Sequence, residues 1–257
     1  MDQRNCKSAL GRSGIPGMDW CLNPYVGCTH GCVYCYASFI EKFNTRPEPW
    51  GTWAEPKCNI ARVLAGELSR PRSGRVQISS VTDGWQPMER KAELTRGCLK
   101  VLAGSGLDVS ILTKSDLVTR DADILTSFGG LLGDGSVKVG FSVCTLSDEL
   151  AALIEPGAPP PSRRMAALKA LSAAGVRTWV FIAPALPGIS DTPETIDAIR
   201  AEARRNGASE VDVDPLNFYP SAVRGLLRVL SPEVPALADA VRAAAANPRR
   251  WASRFHR

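Results

Sequence analysis

Apolar residues run through this chain as short, β-branched stretches separated by segments of helical spacing. Such runs occur at Trp20–Asn23, Val76–Val81, Val109–Thr113, Val137–Val143, Val176–Ile182 and Val211–Asp214. Most are continuous rather than strictly alternating, the pattern of parallel strands covered on both faces. Between them, Asn59–Leu68, Glu89–Ala103, Ala122–Phe128, Arg163–Ala174 and Pro193–Asn206 place apolar residues at i, i+3 and i+4, the mark of amphipathic helices. Ser190-Asp191-Thr192-Pro193-Glu194 supplies an N-cap, a first-turn proline and an early carboxylate for the last of these. Gly175 ends the helix before the fifth strand.

Strands alternating with helices predict a parallel sheet with right-handed crossovers. Eight such units close a full barrel; six leave it open. The expected fold class is therefore α/β, a partial (β/α)6 TIM-like barrel with a short helical C-terminal cap. Residues 1–217 are expected to form the core, with 218–257 as a helical extension that caps it and is not an independent domain. Ala-rich patterns around Ala222–Leu230 and Pro235–Ala246 supply that extension. Pro156–Ser162 is the clearest loop, but it falls inside a strand–helix unit and marks no domain boundary.

At 257 residues and 44% hydrophobic content, the chain suits one large domain with a sizeable core. It has no apolar run of membrane-spanning length, and Met1–Lys7 has no apolar leader core, so no membrane association is expected and the expected location is the cytoplasm. Thiols stay reduced there. The net charge of +5 permits a nucleotide or nucleic-acid partner without requiring one. Arg249, Arg250, Arg254 and Arg257 lie around Trp251 and Phe255, a pattern able to stack on bases but expected to be a solvated tail.

Chemistry concentrates in the C-x3-C-x2-C run of Asn23-Pro24-Tyr25-Val26-Gly27-Cys28-Thr29-His30-Gly31-Cys32-Val33-Tyr34-Cys35-Tyr36-Ala37. Three thiolates can hold three irons of a four-iron cluster and leave the fourth iron open to a substrate or cofactor, whereas fully ligated clusters use four cysteines. Structural zinc also takes clustered cysteines, but it needs a closed set of four ligands. His30 sits awkwardly between the cysteines, and the only other histidine is His256. A disulfide pairing would leave one cysteine over.

This string resembles the cluster loop of radical S-adenosylmethionine (SAM) enzymes, in particular the spore photoproduct lyase-like branch. Ser79–Glu89 and Leu112-Thr113-Lys114-Ser115 agree with it, and the likeness extends from about Ile15 to Asn217. The resemblance implies a [4Fe–4S] cluster on Cys28, Cys32 and Cys35, with SAM on the open iron. It places Tyr34 beside the adenine, Lys114 on the methionyl carboxylate and Ser142 near the methionyl group or ribose. The element that holds the methionyl amine would be Ser80–Asp83, with Thr82 and Asp83 as candidates, although Asp83 is equally suited to cap the next helix. No cysteine follows Cys144, so no second cluster is expected in the C-terminal extension.

These residues fit the barrel rule that ligands gather where strands end. Cys28–Cys35 follow the first predicted strand, Thr82 and Asp83 end the second, Lys114 and Ser115 the third, and Ser142 and Cys144 the fourth. The resemblance implies reductive cleavage of SAM to a 5′-deoxyadenosyl radical that abstracts hydrogen, with flavodoxin or a ferredoxin-type protein as electron donor. Spore photoproduct lyase repairs a thymine dimer with a cysteine near the end of its second strand; Gln77–Thr82 has none here. Tyr36 matches the tyrosine after the last cluster cysteine, and Cys144 and Cys21 are substitute hydrogen-donor candidates. Trp85 and Gln86 are expected at the site mouth, and Trp50 and Trp53 as lid residues. The substrate is expected to be a small molecule or nucleotide, handled by a monomer. DNA or RNA is the alternative substrate, and a non-catalytic metal-binding role the second alternative.

Overall fold

In the computed structural model, residues 4–43, 46–129 and 135–255 are described. Strands β1 (Leu10–Arg12), β2 (Trp20–Leu22), β3 (Tyr25–Gly27), β4 (Ala54–Pro56), β5 (Arg75–Ile78), β6 (Asp108–Thr113), β7 (Val137–Ser142), β8 (Arg177–Ala185) and β9 (Glu210–Pro215) form two sheets. The large sheet has seven strands in the order β1-β2-β5-β6-β7-β8-β9. β1 is antiparallel to β2, and every later pair is parallel. The parallel strands are the predicted ones, and the sheet stays open between its two edges. β3 and β4 form a separate antiparallel pair. At three residues each, β1, β3 and β4 are too short to show a period.

Helices α1 (Ile60–Leu68), α2 (Glu89–Ala92), α3 (Leu94–Leu102), α4 (Ala122–Leu125), α5 (Asp148–Ile154), α6 (Pro161–Ala173) and α7 (Pro193–Arg205) lie between the strands. The single helix expected over Glu89–Ala103 is broken at Glu93, whose φ of 48° is left-handed. The reason is Glu89, fully buried, whose carboxylate takes the N–H groups of Thr95 and Arg96 at the start of α3. The unit after β7 holds an additional helix, α5, capped by Ser147, whose hydroxyl accepts from Leu150 N at 3.1 Å. The proline-rich segment joins α5 to α6. The expected cap of α7 forms as a capping box between Thr192 and Thr195, with Pro193 in the first turn.

The sheet's two faces differ, correcting the expectation of apolar cover on both. One face, including Leu22, Ile78, Ile111, Val139 and Val180, packs against the helices in the main core. The alternate positions Cys21, Gln77, Ser110, Lys138, Trp179 and Asp212 point into the concave lumen. A second apolar cluster joins Tyr34, Cys144 and Ile154 to α8 (Pro220–Glu233), α9 (Pro235–Ala246) and α10 (Pro248–Ala252). The chain end is folded rather than a solvated tail. Trp251 is buried between Phe218 and Phe255, its indole donates to Asp191 at 2.9 Å, and Arg254 pairs with the same carboxylate. His256 and Arg257 lie outside the described residues. No described helix is long and apolar enough to cross a membrane.

Candidate active site

The cysteine loop leaves β3 at Gly27 and ends in a 3-10 helix, Tyr36–Phe43. Four elements brace it. Thr82 donates its hydroxyl to the Gly27 carbonyl, and the Gln86 carboxamide oxygen accepts from Thr29 N at 2.9 Å. At the end of α5 and just past it, Val33 N donates to the Ile154 carbonyl and Gly157 N to the His30 carbonyl, each at 2.9 Å. α8 lies so close that a Cβ on Gly225 would stand 2.0 Å from the Val33 carbonyl oxygen.

Burial pushes the Cys28 thiol up to about 12, and raises Cys32 and Cys35 as well. The sulfurs add to this by mutual repulsion: Cys35 acts on Cys28, and both act on Cys32. Three half-buried thiols held against ionisation need a cationic partner to become thiolates. Among the described residues no three His, Cys, Asp or Glu side chains converge closely enough to hold a single metal ion. His30, 2% exposed, has Nδ1 at 3.4 Å from Asp83, while its Nε2 is buried with no hydrogen-bond partner. Three cysteines on one loop, with an orphaned polar atom among them, supply the thiolate donors that an iron–sulfur cluster takes.

Behind the loop lies a buried ionic network that the sequence did not reveal. Glu155 follows α5 with its side chain fully buried. One carboxylate oxygen accepts from the Tyr34 hydroxyl and stands 3.8 Å from Lys114 Nζ; the other accepts from Arg164. The Arg164 guanidinium, also fully buried, further donates to the Pro159 and Ser142 carbonyls at 2.8 and 3.0 Å. Lys114 leaves the end of β6 over the Tyr34 ring, 5.7 Å from its centroid. Burial disfavours its ammonium, but Cys32 and Glu155 outweigh that and raise its pKa. The same cations hold Glu155 ionised below the usual carboxylate range against desolvation. One carboxylate thus serves two cations, and the Asp83 carboxylate lies across His30 from them.

The other candidate residues separate into two groups. Asp83 is occupied: its carboxylate accepts from Thr113 Oγ1, Lys114 N and Trp85 N, each at 2.8 Å. Ser79, just before them, is left-handed (φ 70°), and its hydroxyl accepts from Gly84 N at 2.7 Å. Asn23 fixes the following turn by accepting from Ser80 N and Val81 N. Ser142 ends β7 next to Arg164. Tyr36 is 43% exposed at the rim and donates to the Ser80 carbonyl. Cys144 is sealed under Tyr34, with its thiol 3.4 Å from Glu155. Cys21, half-buried, faces the Arg12 carbonyl at 3.8 Å. Trp85 and Gln86 are fully buried and do not line the mouth; the Trp85 indole donates to Asp121 at 2.8 Å.

The Radical SAM superfamily model matches residues 22–199, and the chain belongs to that superfamily. An uncharacterized protein of Methanocaldococcus jannaschii is 35% identical over 72% of this chain and 67% of its own length. An uncharacterized protein of Mycobacterium tuberculosis is 34% identical over 84% of this chain and 65% of its own. Among solved structures, spore photoproduct lyase complexed with dinucleoside spore photoproduct superposes with a TM-score of 0.64 at 15% identity, over 90% of this chain and 65% of the lyase. Streptococcus suis SuiB bound to S-adenosylmethionine gives 0.54 at 15% identity, over 85% of this chain and 47% of SuiB. The chain therefore spans about two thirds of the length of its curated relatives and of the lyase. It is a radical SAM enzyme with the open-barrel fold of these structures, and its family implies SAM and an iron–sulfur cluster.

Proposed function

We propose that Cys28, Cys32 and Cys35 hold a [4Fe–4S] cluster and that SAM binds between this loop and the ends of β5–β7, for hydrogen abstraction from a small molecule or nucleotide in the lumen. The observation that carries the reading is the buried ammonium at the end of β6. Lys114 Nζ stands 3.8 Å from Glu155, whose other oxygen is taken by Arg164, so the ammonium keeps donors for an incoming carboxylate. The methionyl carboxylate of SAM has that chemistry. Tyr34, its hydroxyl fixed on Glu155, presents its ring beside Lys114 for the adenine. Ser142 stands on the adjacent strand for the ribose or methionyl group. Thr82 and Asp83 serve the cofactor mainly by fixing the loop and the Lys114 backbone, through the bonds already given to Gly27 and Lys114. When bound, the cluster and SAM supply a 5′-deoxyadenosyl radical. The barrel and α8 keep water from it.

Of the two hydrogen-donor candidates, Cys144 is sealed against Glu155 and helps hold the network, whereas Cys21 is half-buried on the lumen side of β2. Tyr36, at the rim, is the further residue we place in catalysis. We place the enzyme in the cytoplasm, as a monomer of a 1–217 core and its helical cap, reduced by flavodoxin or a ferredoxin-type donor. Anaerobic reconstitution with iron, sulfide, dithionite and SAM tests the reading. Release of 5′-deoxyadenosine is expected; protein that carries iron and sulfide but releases none would refute it. A second reading, nucleic acid as substrate, draws support from exposed Tyr36, Phe39 and Tyr219. Tyr36 and Phe39 are three residues apart on one face of the 3-10 turn, and exposed aromatics stack on bases.

A further inference from the structure

One buried side chain beside the two cations has an open nitrogen. His30, between Cys28 and Cys32, is enclosed, and its backbone is held on both sides. Thr29 N donates to Gln86, and the His30 carbonyl accepts from Gly157 N. On the outer side of the loop the segment 50–53 closes in. A Cβ on Gly51 would come within 2.7 Å of Gly31 Cα, and one on Gly27 within 2.6 Å of the Trp53 indole. Inside, the imidazole Nδ1 stands 3.4 Å from the Asp83 carboxylate, and Nε2 has no partner. A nitrogen that faces a carboxylate carries the proton, so Nδ1 is the N–H and Nε2 the bare acceptor of the neutral ring. A second proton, on Nε2, would set a third positive charge beside Lys114 and Arg164.

We propose that His30 Nε2 receives the methionyl amine of SAM. The amine and the carboxylate of SAM sit on one carbon, so the group that receives the amine must stand beside the cation that receives the carboxylate. Lys114 is that cation, and the carboxylates near it are taken. Asp83 accepts from Thr113 Oγ1, Lys114 N and Trp85 N, and Glu155 accepts from Tyr34 and Arg164. Among the described residues, the buried side-chain atoms left without a partner are His30 Nε2, Ser110 Oγ and the indole nitrogens of Trp53 and Trp179. Indoles only donate, and Ser110 lies within β6, four residues before Lys114. His30 Nε2 is therefore the open acceptor at the cofactor end of the barrel. Asp83, a candidate for the amine from the sequence, acts on it through the ring: the carboxylate fixes the proton on Nδ1 and makes Nε2 the stronger acceptor. The inference rests on the radical SAM reading above.

Titration calorimetry on the anaerobically reconstituted, unreduced protein tests it, with SAM in one arm and a SAM analogue bearing hydrogen in place of the amine in the other. His30→Asn keeps an N–H at the position of Nδ1 and has nothing at that of Nε2. It is expected to weaken SAM binding about tenfold, as loss of one hydrogen bond does, with iron content and affinity for the analogue unchanged. His30→Gln carries its amide at the place of Nε2 and is expected to restore most of the SAM affinity. Unaltered SAM affinity in His30→Asn would overturn the proposal. So would an equal loss for both ligands, because a merely structural role acts on both alike. If His30→Asn fails to hold iron, heteronuclear NMR of the histidine-labelled, cluster-free wild type decides; His256 is the one other histidine in the chain. A bare Nε2 supports the proposal, and a proton on Nε2 overturns it. A wild-type protein that assembles no cluster, or binds neither ligand, would instead sink the reading beneath it.

Discussion

At the scale of single residues, the site turns on two buried cations, Lys114 and Arg164, held around Glu155. Lys114→Ala removes the cation offered to SAM, and roughly tenfold or greater weakening of SAM binding is expected from a lost charge-assisted contact. Iron content should not change; titration calorimetry that finds unaltered affinity would contradict the role. Arg164→Met leaves Glu155 with Lys114 as its only cation. Breaking a fully buried pair costs about 3–5 kcal/mol, to be read from denaturant unfolding. Cys28, Cys32 and Cys35 were legible because their spacing is itself the signal. Lys114 and Ser142 were reachable because they end apolar runs. Glu155 and Arg164 were not: one follows a short helix and the other lies within one, and nothing local marks a charge that tertiary packing will bury. Ser147-Asp148-Glu149 did carry a cap signature that would have announced α5 and so drawn attention to its far end.

At the scale of elements, the strands were legible because apolar residues recur in every one. The polar lumen was obscured because small and amphipathic residues fill the inward positions. Gly140 shows why. A Cβ there would lie 2.3 Å from the Trp179 indole, so the ring lies across β7 only because the position is bare. Gly140→Ala is expected to cost about 1–3 kcal/mol by overpacking, as measured by chemical unfolding. The N-terminal strand depends on another element. Burial raises the Glu67 pKa, but Ser8 and the backbone N–H groups of Ala9 and Leu10 outweigh it and leave the carboxyl below its usual value. Its unfolded pKa is about 4.3, so this contribution is complete above that pH and is lost as pH falls through the lower folded value. Glu67→Gln should flatten the acid limb of the stability–pH curve; an unchanged limb would contradict the attachment.

For the whole molecule, the barrel, the cap and the Trp50–Trp53 segment enclose one loop from different sides, and the enzyme's class follows from that loop and its fold. Substrate choice turns on the rim. If Tyr36, Phe39 and Tyr219 receive bases, oligonucleotide affinity should fall as salt rises, with a slope set by the phosphates neutralised. A flat response would leave the small-molecule reading. The most direct test of the central claim is electron paramagnetic resonance of the anaerobically reconstituted, dithionite-reduced protein, with and without SAM. An open iron in a cluster held by Cys28, Cys32 and Cys35 predicts a reduced-cluster signal that changes when SAM is added and disappears in Cys32→Ala. A signal indifferent to SAM, or one that survives in Cys32→Ala, would contradict it.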